Sequence, residues 1–176
     1  MKLLVVVDMQ NDFVSGALGT REATDIVPYV VDKVAEAVNA GDTIVFTQDT
    51  HTQDTHTQDY LNTQEGRNLP VLHCVKDTEG WQIIPQLQEY TVGRTCVEKP
   101  TFGSTELAHL AAQGGYEEIE LVGLCTDICV ISNAMLLKSA LPEAKITVDS
   151  ACCAGVTPAS HQNALEAMKM CQITVV

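Results

Sequence analysis

Three side chains of this 176-residue chain combine reactive chemistry with a suggestive position. Cys129 lies in the stretch Val122-Gly123-Leu124-Cys125-Thr126-Asp127-Ile128-Cys129-Val130, where an apolar run gives way to a helix-patterned segment. A thiol at such a strand-to-helix turn sits near a helix N-terminus, whose dipole and free N–H groups favour a thiolate. Asp8 ends the first apolar run, Leu3 to Val7; Lys99 follows the run Thr95 to Glu98 and precedes Pro100. A nucleophile, a proton-carrying carboxylate and a cation are the ingredients of covalent catalysis with acid–base assistance. Taken singly, each has an ordinary reading: a helix cap or turn, a solvated loop charge, a small core residue. Their shared placement at the ends of strand-like runs sets them apart.

Those runs must position them. Leu3–Val7, Thr43–Thr47, Thr95–Glu98, Glu118–Val122, Lys145–Val148 and Ile173–Val176 read as six strands, the first β-branched and uninterrupted. Ile26, Val30, Val34 and Val38 repeat at helical spacing up to Gly41. Further helices are expected over Thr105–Gln113, closed by Gly114-Gly115, over Ile128–Ser139, and over Pro158–Met170 with Thr157 or Ser160 as N-cap. Asp8 to Thr24 and Gln48 to Arg67 read as loops. The alternation predicts an α/β fold, a Rossmann-like three-layer α-β-α arrangement with a six-stranded parallel sheet. In such folds ligands bind outside the carboxyl ends of the strands, where Asp8, Asp49, Lys99 and the Cys125–Cys129 segment all fall.

Length and composition suit one domain spanning residues 1–176, and 45% of residues are apolar. The formal net charge of −13 argues against nucleic acid or an anionic membrane as the main partner. No apolar run approaches membrane-spanning length, and the start does not resemble a signal peptide, so a cytoplasmic location is expected. The seven cysteines, Cys74, Cys96, Cys125, Cys129, Cys152, Cys153 and Cys171, show no paired zinc spacing and read mostly as reduced core residues. Residues 47–58 read TQDTH-TQDTH-TQ, a local duplication.

Three segments in order, VVVDMQNDFV, VEKPTFGS and VGLCTDICVISNA, resemble the isochorismatase-like cysteine hydrolases, which include nicotinamidases, carbamoylsarcosine-type amidohydrolases and isochorismatases. The resemblance runs from about Leu3 to the end. It implies a single hydrolase domain of that fold, a triad of Asp8, Lys99 and Cys129, and a homo-oligomer, dimer or tetramer. In this reading Cys129 attacks the carbonyl of a small amide, Asp8 moves the proton, and Lys99 stabilises negative charge. A thioester forms and is hydrolysed. The backbone N–H groups of Cys125 and Cys129 would hold the oxyanion, with a cis peptide bond at Leu124–Cys125. Gln10 and Phe13 are implied as substrate-site residues, Gln10 supporting the loop and Phe13 lining the pocket; simple core packing is an equal reading for Phe13.

Nicotinamidases also carry an Asp-x-His pair and a later His-Cys that hold a divalent metal, which binds the pyridine nitrogen of the substrate. Here these become Asp49, His51 and His73, a donor set suited to zinc, manganese or iron. The duplication offers Asp54 and His56 as a second pair, with His56 an additional or alternative ligand; a polar loop without metal is the plainer reading. No organic cofactor is implied. The chain departs from nicotinamidases in two respects: their Trp-Pro before the His-Cys is replaced by Leu69-Pro70-Val71-Leu72, with Trp81 its one tryptophan, and their glycine-rich continuation after the first motif reads GALGTREATDIV. A ureide or carbamoyl substrate, isochorismatase-type vinyl-ether hydrolysis, and a non-catalytic thiol protein using Cys125 and Cys129 are the alternatives.

Overall fold

The computed structural model of the chain describes residues 1–52 and 60–176. Its strands are β1 (Lys2–Val7), β2 (Thr43–Asp49), β3 (Thr95–Lys99), β4 (Glu118–Leu124), β5 (Lys145–Ala154) and β6 (Thr174–Val175). They form one parallel sheet in the order β3-β2-β1-β4-β5-β6. The helices are α1 (Asn11–Val14), α2 (Arg21–Asp25), α3 (Val27–Ala40), α4 (Gln64–Asn68), α5 (Pro85–Thr91), α6 (Thr105–Gly114), α7 (Ile131–Ala140) and α8 (Pro158–Met170). The expected three-layer architecture is therefore present.

Burial on both faces explains why β1 is apolar without alternation. Leu3, Val5 and Val7 face Leu107 of α6, Ala134 and Leu137 of α7, and Leu165 and Met168 of α8. Leu4 and Val6 face Val30, Val34 and Ala37 of α3 and Leu87 of α5. Gly41 closes α3 in the left-handed conformation, at φ 74. The N-cap of α8 is Thr157, and Ser160 completes a capping box.

Several local features differ from the sequence expectation, among them α4 and the last two residues of β2, which overlap the Gln48 to Arg67 span read as loop. The Asp8–Thr24 segment contains α1 and α2, too short to show helical periodicity. Strand β5 runs six residues past Val148, through Asp149, Ser150 and Cys152, with a register shift against β4 between Leu121 and Gly123. The helix after β4 opens with a π-helical turn, Thr126–Val130. Gly123 has φ 115, and a Cβ there would lie 2.1 Å from the carbonyl oxygen of Val7. Only glycine lets the ends of β1 and β4 approach this closely. That junction is where chain order reverses across the sheet, the topological switch point at which α/β folds form their crevice. No described helix is long and apolar enough to cross a membrane.

Candidate active site

The strand order brings three distant residues together. Asp8 follows β1, Lys99 ends β3, and Cys129 sits in the π turn after β4; all three are buried. Lys99 reaches from two strands away. Its Nζ lies 2.6 Å from Asp8 Oδ2 and 3.4 Å from Cys129 Sγ. Asp8 occupies the left-handed region at φ 48, uncommon for a residue with a side chain, and is held there from β2. The Thr47 hydroxyl donates to Asp8 Oδ1 at 2.6 Å, and the Asp8 N–H donates to the Thr47 carbonyl at 3.2 Å. Oδ2 makes the ion pair but no aligned hydrogen bond, leaving acceptor capacity on the side of Lys99.

Burial sets the electrostatics. Desolvation raises the pKa of Asp8, opposed by the Lys99 charge and reinforced by Asp49. Lys99 stays charged: burial disfavours its ammonium, but Asp8, Cys129 and Asp49 outweigh that and raise its pKa. The Cys129 thiol is pushed well above its ordinary value by burial and by Asp8, with Lys99 opposing. Burial and Asp8 thus oppose the ionisation of Cys129 that Lys99 and the helix terminus favour. A dry site penalises a second anion next to Asp8 more than the helix terminus favours it.

The Leu124–Cys125 peptide is cis, as the resemblance implied. The Cys125 carbonyl accepts from the N–H groups of Ile128 and Val130 at 3.1 and 3.0 Å, which fixes the turn. Both Cys125 and Cys129 line a small cavity of about 130 Å³ with otherwise mostly apolar walls: Phe13, Leu18, Leu69, Phe102, Leu124, Ile128 and Val156. Phe13 lines this cavity and also belongs to the core beneath α3. Gln10 does not line it. Its amide is taken by main chain, accepting from the Asp49 N–H at 2.8 Å and donating to the carbonyls of Asp49 and Trp81 at 2.9 and 2.8 Å. These bonds match the loop support that the resemblance implied for Gln10. Trp81 also stays outside the cavity, its indole N–H donating to Thr50, and Leu69 supplies the wall.

At the far side of the cavity stand Asp49, Glu65 and His73, with His51 beside them. One ligand atom from each of the four lies within 4.8 Å of the others. Asp49 Oδ2 is 3.1 Å from His51 Nε2 and 3.4 Å from His73 Nε2; Glu65 Oε1 is 3.7 and 3.9 Å from the same nitrogens. The Nδ1 of His73 is 2.8 Å from the Val71 carbonyl, which orients Nε2 towards the cluster. Burial and the Asp49 charge raise the Glu65 pKa. Two carboxylates crowded together, with two imidazole nitrogens facing them, are a donor set that fits a divalent cation. Glu65 was not found by sequence reasoning: it lies in the first turn of α4, capped by Thr63, within a polar stretch without periodicity. His56 and Asp54 lie outside the described residues. Asp49 Oδ1 also stands 3.6 Å from Lys99 Nζ, so one carboxylate faces both groups.

A buried thiol, carboxylate and ammonium thus meet at the switch point of a parallel sheet, beside a metal-suited cluster. The isochorismatase domain model matches residues 2–176, and the chain belongs to the isochorismatase family. It is 28% identical to the nicotinamidase/pyrazinamidase of Mycobacterium tuberculosis, over 100% of this chain and 98% of that one. It is 27% identical to the nicotinamidase of Saccharomyces cerevisiae, over 77% of this chain and 80% of that one. Among solved structures, the pyrazinamidase of Pyrococcus horikoshii in complex with zinc superposes with a TM-score of 0.84 at 27% identity, covering 99% of this chain and 98% of that one.

Proposed function

We propose that the protein hydrolyses the C–N bond of a small, uncharged carboxamide through a thioester on Cys129. The observation that carries this is the convergence of Asp8, Lys99 and Cys129, with the thiol opening into the cavity. In the resting state Asp8 is the carboxylate, Lys99 the ammonium and Cys129 the thiol. As Sγ attacks the substrate carbonyl, its proton passes to Asp8, and Lys99, 3.4 Å from Sγ, stabilises the sulfur's developing charge. The backbone N–H groups of Cys125 and Cys129 serve the oxyanion. Collapse of the tetrahedral intermediate expels the amine, which takes the proton back from Asp8 and leaves as ammonia when the amide is primary. Asp8 then draws a proton from water as it attacks the thioester, releasing the carboxylic acid and restoring the thiol.

Asp49, His51, Glu65 and His73 would hold a divalent ion, zinc, manganese or iron, which supplies Lewis acidity and an anchoring point for a substrate donor atom. The cavity walls support a carboxamide over carbamoyl amino acids or isochorismate. Among the described residues lining the cavity there is no lysine or arginine to receive a substrate carboxylate.

The test is ammonia release from nicotinamide and other small carboxamides, with zinc or manganese added. Cys129→Ala is expected to lower turnover by about a thousandfold or more with the fold intact. Undiminished turnover in that variant, or consumption of isochorismate with every amide left untouched, would sink the reading.

A further inference from the structure

The turn that carries Cys129 is tied to α8 by side chains that do not line the cavity. Thr126, fully buried at the start of the π turn, places its Oγ1 2.8 Å from Nδ1 of His161. The next residue, Asp127, accepts the N–H of Val156 with both carboxylate oxygens, at 3.1 and 3.2 Å. Between these ties the chain passes from β5 into α8. There Gly155 lines the cavity so close to His161 that a Cβ at Gly155 would lie 2.9 Å from the histidine's Cα, Cβ and backbone nitrogen. The main-chain carbonyls of the turn are already used: Cys125 accepts from Val130, and Thr126 from Ile131. The Thr126 hydroxyl and the Asp127 carboxylate therefore fix the turn from outside.

We infer that His161 is a positioning residue: through Thr126 it holds the nucleophile turn, and with it the Cys125 N–H and the Cys129 thiol, in register with the cavity wall formed by Gly155 and Val156. The inference rests on the hydrolase reading of the site. A buried hydroxyl that loses its partner is destabilised where it stands, so the turn relaxes when the imidazole is removed. Reacting groups tolerate little displacement: a shift of about 1 Å can cost about a hundredfold in rate. Burial lowers the His161 pKa against the opposing charge of Asp127, which keeps the ring neutral. A neutral imidazole can donate to or accept from the hydroxyl at Nδ1.

The full-length chain is compared with His161→Leu, His161→Asn, Thr126→Val, Thr126→Ser and the double variant His161→Leu with Thr126→Val. Asparagine places an amide atom where Nδ1 stood, and serine keeps the hydroxyl. The readouts are kcat and KM on a hydrolysed carboxamide, and the peptide-resolved rate of iodoacetamide labelling at Cys129, with exposed Cys96 and Cys171 as internal references. His161→Leu and Thr126→Val should each lower kcat about tenfold, with KM changed less than about twofold, and the double variant should be no worse than either single one. His161→Asn and Thr126→Ser should keep most of the turnover. Cys129 labelling should shift by about threefold or more in His161→Leu and Thr126→Val only, with the reference cysteines unchanged. Equal impairment by His161→Asn and His161→Leu, losses that multiply in the double variant, or an unchanged kcat and labelling rate in His161→Leu would overturn the inference. If the unaltered chain cleaves no amide, the hydrolase reading falls, and the labelling pattern alone decides whether His161 positions the turn.

Discussion

Two ionic clusters flank this sheet and use the same residue types to opposite ends. At the carboxyl edge, Lys99 is shared between Asp8 at 2.6 Å and Asp49 at 3.6 Å, and the Asp8 and Lys99 side chains are fully buried. Beneath α3, Glu120 meets Lys2 at 2.7 Å and Lys33 at 3.1 Å, while Lys33 also meets Asp149 at 2.8 Å. There the side chains keep 38% (Lys2), 24% (Lys33), 9% (Glu120) and 12% (Asp149) exposure. In the dry cluster burial wins at Asp8, whose pKa rises; at Asp49 burial is outweighed by the bonds to His51 and His73 and by the Lys99 charge, and its pKa falls. In the wet one burial also pushes Glu120 and Asp149 up, but the bonds and charges of their lysines outweigh it and both pKa values fall. Two lysines for two carboxylates, with water at hand, make a fixed set of charges. One lysine for two carboxylates, without water, leaves a carboxylate poised to take a proton. The first arrangement contributes to stability; the second suits proton transfer.

The difference can be broken at several points. Lys99→Met should have the largest effect on the fold, destabilising it by about 3–5 kcal/mol in denaturant unfolding because Asp8 and Asp49 lose their buried counter-charge. Adding Asp8→Asn should recover part of that loss; if the double variant is less stable than Lys99→Met alone, the account of the dry cluster fails. Zinc should act in the opposite sense by supplying positive charge to Asp49 and Glu65. A metal concentration of about 100 Kd should stabilise the chain by about 2.7 kcal/mol, read as a rise in Tm, and His73→Ala or Glu65→Gln should reduce that rise.

At the wet cluster, Lys33→Met should cost about 1–2 kcal/mol, less than the dry-site penalty because water reaches the remaining carboxylates. The pH dependence follows from the lowered pKa values. Glu120 and Asp149 take up protons more readily when unfolded, so their contribution is fully present above the ordinary values of 4.5 and 3.8 and is lost as pH falls through the depressed native ones. Acid unfolding of Lys33→Met should show a shallower loss in that window; an unchanged profile would exclude the cluster as its source. The smallest effect is expected from Thr47→Val. It removes a hydrogen bond to the Asp8 carboxylate, so the Asp8 pKa should rise further and the acid limb of the activity profile should move to higher pH by less than about one unit.

Much of the architecture was legible because its causes are local. Strands buried on both faces need unbroken apolar runs, so β1 and β2 were found, and Asp8, Lys99 and Cys129 were conspicuous at the ends of such runs. Thr157 and Gly41 marked the boundaries of α8 and α3 through cap chemistry. What escaped has long-range causes. Glu65 joins Asp49, His51 and His73 only because α4 folds back over the end of β2. His161 meets Thr126 across 35 residues of sequence. The partners of Gln10, the main-chain groups of Asp49 and Trp81, lie 39 and 71 residues further along the chain.

By itself the sequence determined the alternation of strands and helices, the edge of the sheet at which reactive residues collect, and the types of group available there. Patterning and capping act over a few residues, and chain order places strand ends together once the fold is parallel. Only the tertiary structure decided the strand order that lets Lys99 reach past β2 to Asp8 and Cys129, the fourth member of the metal-suited cluster, and how far burial opposes charge in the site. Burial and the field of Asp8 raise the Cys129 pKa against Lys99 and the helix terminus, because desolvation depends on everything packed around the thiol rather than on its neighbours in the chain.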